Sequence, residues 1–92
     1  MIDIRHYRKK PVVVEAVEVD EETIIEVAAW ARGYVLAPLR KDGGRVKFIR
    51  IPTLEGEMSA HLGDYVIKGI KGEFYPVRGD IFQQTYDLEE VA

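Results

Sequence analysis

The chain has 92 residues, 13 lysines and arginines against 16 aspartates and glutamates, a formal net charge of −3 and no cysteine. That length suits one core, so residues 1–92 are expected to form a single domain, and the missing thiol excludes a disulfide framework, a thiolate metal site and a cysteine nucleophile. The acid balance opposes a broad duplex-DNA surface, which needs a continuous basic face.

No apolar run approaches the roughly 20 residues that span a bilayer, and Met1-Ile2-Asp3 does not open a signal peptide, so no membrane association is expected and the cytoplasm is the default compartment. A domain this small buries a modest share of its unfolded surface, which favours self-association into a homo-oligomer. The net charge hides a segregation. Arg5, Arg8, Lys9 and Lys10 make the first ten residues basic, and Arg40, Lys41, Arg45, Lys47 and Arg50 do the same for residues 40–50. Acidic residues gather from Glu15 to Glu26 and again at Asp87, Glu89 and Glu90.

In chain order, Pro11–Val19 is a β-branched run with apolar residues on both faces in its first half, which predicts a central strand. Asp20 is a good N-cap and Gly33 a left-handed stop, framing a helix of about 21–32. Its Ile24, Val27, Ala28 and Ala31 share one face, with Ile25 beside them. Tyr34–Ala37 predicts a short strand, and Asp42-Gly43-Gly44 a turn leading into Arg45–Ile51. In that run the apolar phase shifts from Val46 and Phe48 to Ile49 and Ile51, which predicts a β-bulge near Phe48. Thr53–Ala60 is a weaker strand, interrupted at Gly56.

Tyr65–Lys68 and Glu73–Val77 flank a Gly69–Gly72 turn, with Pro76 favouring an edge or a strand end. Asp80 is expected to cap a short helical turn, Ile81–Thr85, that sets Phe82 and Tyr86 at i,i+4, before a terminal strand at Tyr86–Leu88. The fold expected is therefore α+β: one antiparallel β-sheet of about five strands, one main helix packed on a face and a short C-terminal helical turn.

Chemistry is harder to place. Ser59 and His61 share a strand face, but no glycine elbow surrounds Ser59 and no orienting group is placed by sequence. His6, His61 and Asp64 lack a recognised metal-ligand spacing, and Glu55 with Glu57 reads as a solvated face. The expectation is no enzyme, no metal and no cofactor. The second hairpin gathers aromatic and cationic groups instead: Tyr65, Lys68, Lys71, Tyr75 and Arg78, with Phe74 among them. Rings stack on bases while cations pair with phosphates, so these five are the candidate binding residues for a phosphate-bearing small molecule. Arg40, Lys41 and Arg45, beside Gly43-Gly44, are the secondary candidates. Alternation sets Tyr75 and Arg78 on opposite faces, which predicts a pocket completed by a neighbouring protomer.

Lys9-Lys10-Pro11-Val12-Val13-Val14-Glu15-Ala16, the stretch Gly63–Pro76 that reads GDYVIKGIKGEFYP, and Asp80-Ile81-Phe82-Gln83-Gln84-Thr85-Tyr86 together resemble a family of small bacteriophage and prophage accessory proteins. Ile51-Pro52-Thr53-Leu54-Glu55-Gly56 is similar to the family's middle segment, while Val77-Arg78-Gly79 and the residues after Ala16 depart from its pattern. The resemblance implies a phage-encoded binding protein acting in the host cell cytoplasm. By analogy of size and setting, the specific expectation is a counter-defence sponge that sequesters a nucleotide-type immune signal, such as a cyclic nucleotide or an ADP-ribose derivative. A rival is a protein-interaction module that blocks or redirects a host bacterial protein through a sheet edge or the Trp30 region. A nucleic-acid-binding regulator stands third, because of the acid balance.

Overall fold

The longest β-branched run of the chain contributes only four residues to a sheet. A computed structural model describes residues 1–89, so Glu90 of the acidic tail lies outside the described residues. These hold β1 (Glu15–Glu18), α1 (Ile24–Trp30), β2 (Tyr34–Leu36), β3 (Phe48–Thr53), β4 (Gly56–His61), β5 (Tyr65–Lys68), β6 (Phe74–Val77) and α2 (Gly79–Thr85). The α+β class stands, but the single sheet of about five strands is corrected to two antiparallel sheets of three, ordered β1-β5-β6 and β2-β3-β4. Helix α1 carries the chain from one sheet to the other, so β1 finds β5 rather than β2 as its partner. β1 is thus an edge strand, not the central strand that its apolar run suggested, and Val12 and Val13 ahead of it are exposed.

Local chemistry explains how α1 begins and ends. Asp20 Oδ1 accepts the backbone N–H groups of Glu22 (2.9 Å) and Thr23 (2.8 Å) and the Thr23 hydroxyl (2.9 Å), satisfying donors of the opening turn. Regular helix then runs over 24–30 with Thr23 at the N-cap position, shorter at both ends than the expected 21–32, and the expected N-cap at Asp20 is corrected to a cap on the turn that precedes the helix. At its end Arg32, not Gly33, takes the left-handed conformation, with φ of 60°. The Arg32 N–H reaches the Ala29 carbonyl and the Gly33 N–H that of Ala28, the pair of bonds of a Schellman ending. Gly33 is required for a different reason: a Cβ there would fall on the backbone carbonyl of Arg50 in β3.

These bonds hold the Asp20 carboxyl below its ordinary pKa, the Thr23 N–H first and the Thr23 hydroxyl second. A depressed folded-state pKa means stability that is present above the unfolded value and lost as pH falls through the folded one. Asp20→Ala should therefore melt below the parent at neutral pH, with the gap closing from about pH 4 downward, as thermal melts across that range would read.

One core joins both sheets to α1. Ile24, Val27, Ala28 and Ala31 are buried as the helical spacing predicted, whereas Ile25 points to solvent. They meet Ile49, Ile51 and Ala60 from the second sheet and Val66 and Phe74 from the first. Trp30 packs edge-on against Phe74, with ring centres 5.0 Å apart, so it belongs to the core margin rather than to an open docking patch.

No bulge occurs at Phe48: the pairing Phe48↔His61 continues without a slip to Thr53↔Gly56, and Tyr34↔Arg50 to Leu36↔Phe48 is equally regular. The phase change has another origin. Ile49 and Ile51 face the core, while Phe48 lies on the outer face, stacked on His61 across the strand pair. Gly56, with φ of 100°, is the reversal of the β3–β4 hairpin rather than a break within one strand, and the Thr53 hydroxyl closes that turn on the Gly56 carbonyl. Pro52 is tolerated because β2 pairs only with Phe48–Arg50, leaving β3 unflanked on that side beyond Arg50. Pro76 lies in an edge strand, as its missing N–H requires.

Candidate functional site

The register of the first sheet separates its two faces. Val17, Val66 and Pro76 lie on the core side, while Ala16, Ile67 and Tyr75 lie on the other, together with Glu18, Tyr65 and Val77. The second face is covered by α2, a full seven-residue helix where only a short turn at Ile81–Thr85 was expected. Arg78 occupies its N-cap position, so the expected cap at Asp80 is corrected: Asp80 lies inside the first turn and forms a bidentate pair with Arg78 (2.7 and 3.1 Å). Gly79 abuts the Gly63 carbonyl, where no side chain would fit.

Phe82 and Tyr86, one helical turn apart, do stack, with ring centres 4.9 Å apart. Tyr65 of β5 extends the stack on the other side of Phe82, at 3.9 Å and only 9° from parallel. Gln83 Nε2 donates to the Tyr65 hydroxyl (3.1 Å), and Lys9 Nζ donates to the Tyr86 hydroxyl (2.6 Å). The ammonium lies 4.6 Å from the Tyr86 ring centre as a consequence of that bond, so it does not occupy the ring face. Burial, with the neighbouring Tyr86 phenol, pushes the Tyr75 hydroxyl up to about 12, whereas the Lys9 contact lowers that of Tyr86.

Between this stack and the extended segment 12–16 opens a cleft of about 720 Å³. Tyr65, Phe82, Gln83 and Tyr86 form one wall, Val12–Ala16 another, and Asp87, Leu88 and Glu89 the rim. The terminal strand expected at Tyr86–Leu88 does not form: Tyr86 has extended backbone angles, but no strand among the described residues pairs with it. Glu15, Asp87 and Glu89 make the lining acidic, and Lys9 is the cation that approaches it through Tyr86.

Of the five candidate residues, Tyr65 lines the cleft. Tyr75 shares its sheet face but does not line it. Lys68 lies on the opposite face, with Nζ 5.9 Å from the Phe74 ring centre, and Arg78 is engaged by Asp80. Lys71 is at the hairpin tip, where its N–H donates to Glu73 Oε2 (3.1 Å) and the Gly69 Cα lies against the same carboxylate. The glycine-rich turn thus already holds an anion of its own. The other glycine turn behaves alike: Asp42 Oδ1 accepts the Gly44 N–H (2.9 Å), and Arg40 pairs with Asp42 at 3.3 Å. Arg45 donates to the Ala37 carbonyl (2.9 Å), and Lys41 has no ion pair or hydrogen bond among the described residues. The candidate charges and rings do not converge within one chain.

Asp64 Oδ2 lies 3.8 Å from His61 Nδ1, beyond hydrogen-bond reach, and accepts the His61 backbone N–H instead (2.8 Å). No hydrogen bond joins Ser59 to His61 among the described residues. Glu55 belongs to a turn and Glu57 to β4, where it meets Tyr34 and Arg50, so the two do not form a strand-face pair. No group of three His, Cys, Asp or Glu among the described residues is placed to hold a metal ion.

No family model, curated protein or solved structure matches this chain. The site therefore stands on its own geometry. Phe82, Gln83, Tyr86 and the Val12–Ala16 wall were not among the sequence candidates. The i,i+4 pair was visible, but its stacking on Tyr65 depends on a packing that the sequence does not display.

Proposed function

We propose that the chain is a non-catalytic binding protein that holds a flat, nucleotide-type small molecule in the cleft between segment 12–16 and α2. The observation that carries the reading is the parallel stack of Tyr65, Phe82 and Tyr86 along one wall of a cleft of about 720 Å³, with the Gln83 amide beside it. Such a wall offers a π-face to a base and an amide to its edge, and a small-molecule site of a few hundred Å³ suits a nucleotide. Lys9, whose ammonium bonds the Tyr86 hydroxyl on the cleft wall, supplies positive charge for a phosphate.

The segments that resemble phage accessory proteins, 9–16, 63–76 and 80–86, contribute every lining residue except Asp87, Leu88 and Glu89. This supports placing the cleft in that setting, as a sponge that sequesters a nucleotide-type immune signal in the host cytoplasm. Self-association is part of the same proposal, since Ile2, Ile4, Tyr7 and Val13 are exposed apolar groups that a second copy would cover.

Calorimetric titration with a cyclic dinucleotide and with ADP-ribose tests the reading. Tyr86→Ala should weaken binding about tenfold to a hundredfold, from the roughly 1–3 kcal/mol of base stacking, while Lys71→Ala should leave it unchanged. The ligand should be recovered intact. Equal affinity of Tyr86→Ala and the parent, or a chemically altered ligand, counts against the proposal.

One observation favours the rival, a module that engages a host protein. β1 is outermost in its sheet, and the exposed residues Val12 and Val13 lie in the segment that leads directly into it, a geometry that accepts an added strand. Native mass spectrometry of the protein from phage-infected cells separates the two, because a sponge retains a small mass and the module a polypeptide.

A further inference from the structure

The outer face of the β2-β3-β4 sheet has a composition unlike that of an ordinary solvated face. Register places Tyr34, Arg50 and Ser59 in one row across the three strands and Leu36, Phe48 and His61 in the next. Their neighbours Val35, Ile49 and Ala60 point into the core, so these six side chains share the outward side. The Phe48 and His61 rings are stacked at 5.3 Å, and the Arg50 guanidinium carbon lies 5.8 Å from the Phe48 ring centre. Tyr34 is 48% exposed. Leu36, Ala37, Pro38 and Phe48 line an apolar trough of about 440 Å³ beside these rows.

Charge sits next to the rings. The β2–β3 hairpin continues past its strands through the Leu39↔Arg45 bridge and carries Arg40, Lys41, Arg45 and Lys47 against Asp42, in a chain whose net charge is −3. Lys41 and Lys47 have no ion pair or hydrogen bond among the described residues. Arg50 is only loosely held, with Nη1 3.8 Å from Glu57; its Nε is buried without a hydrogen-bond partner, so the Nη groups are the part of the guanidinium that a phosphate would meet. Glu57, bonded by the Tyr34 hydroxyl, is the one carboxylate among the paired positions of these strands.

We propose that this face, with the hairpin of residues 39–45, binds single-stranded nucleic acid, with bases stacked on Tyr34 and the Phe48–His61 pair and phosphates held by Lys41, Lys47 and Arg50. Rings on the outer face of a sheet, beside cations that are free or only loosely paired, are what an unstacked strand needs, and a duplex, whose base faces are hidden, cannot use them. The cations are confined to one hairpin, so the acid balance of the whole chain does not oppose a short local contact. The site is independent of the cleft over α2, and its test can succeed or fail whatever that cleft holds.

Fluorescence anisotropy of the whole protein with labelled single-stranded oligothymidylate and oligouridylate of about twelve nucleotides, and a duplex of equal length, is the experiment. Single strands should bind, more tightly than the duplex, and weaken roughly tenfold between about 50 and about 200 mM salt. The Lys41→Glu, Lys47→Glu double variant and Tyr34→Ala should each weaken binding by about tenfold or more, with melting temperatures close to the parent's. No single-strand binding at the lower salt would overturn the proposal. So would equal affinity for the duplex, or unchanged affinity in both variants.

Discussion

Gly33→Ala should destabilise the protein by about 3 kcal/mol, at the upper end for inserting one carbon into a packed site, and lower Tm by roughly 15 °C. The added Cβ would fall on the carbonyl of Arg50, a backbone group in the middle strand of the second sheet. That carbonyl cannot swing away like a side chain. Moving it disturbs the Tyr34↔Arg50 pairing and the Ile49 and Ile51 side chains on either side, both fully buried. Gly43→Ala is the control. Gly43 has φ of 88° but open space around its Cα, so only the backbone penalty applies, about 1 kcal/mol. Thermal and urea melts of the two variants check the contrast, and a Gly33→Ala protein melting within a few degrees of the parent would show that α1 and β3 are not so close.

Ile67→Ala should cost a further large increment, about 2–5 kcal/mol, as expected for emptying a fully buried isoleucine site. Ile67 is not part of the core shared by the two sheets. It lies between Ala16 and Tyr75 on the face that α2 covers, so its burial depends on that helix staying docked. The variant should therefore also change the near-ultraviolet dichroism of the Tyr65, Phe82 and Tyr86 stack. Ile70, in the neighbouring turn and 71% exposed, supplies the comparison: Ile70→Ala should stay within about 0.5 kcal/mol of the parent. Equal stability of the two variants would mean that α2 does not seal this face.

What was legible before the structure were features whose causes are local. The stripe Ile24, Val27, Ala28 and Ala31 follows from helical periodicity, and the hold of Asp20 on the Glu22 and Thr23 N–H groups from the orphan donors at a helix start, although Thr23 takes the N-cap position itself. The Gly69–Gly72 reversal, the edge position of Pro76 and the Phe82–Tyr86 spacing likewise needed only near neighbours. Alternation fixes which residues share a face but not which strand lies alongside, so the β1–β5 pairing and the division into two sheets were not readable. The same gap hid the site. Tyr65 stands out in the sequence for its ring, but the groups that make it part of a cleft are Phe82 and Gln83 of α2, Tyr86 beyond it and the segment 12–16, all distant along the chain. Of the cations beside it, Arg78 is paired with Asp80, while the backbone N–H of Lys71 is taken by Glu73, whose carboxylate occupies the place a phosphate would need in the turn. Glycine so often ends a helix that Gly33 suggests a conformational stop, whereas its neighbour Arg32 takes that role and Gly33 answers a steric demand from β3.

The most direct test of the proposed binding cleft is an amide NMR titration of the isotopically labelled protein with a cyclic dinucleotide and, separately, with ADP-ribose. Saturable shifts should concentrate at Val12–Ala16, Tyr65 and Phe82–Tyr86, with the Gly69–Gly72 turn and Arg78 unmoved. Shifts confined to that turn and Arg78, or no saturable shift with either ligand, would contradict the assignment of the cleft as a nucleotide-type site.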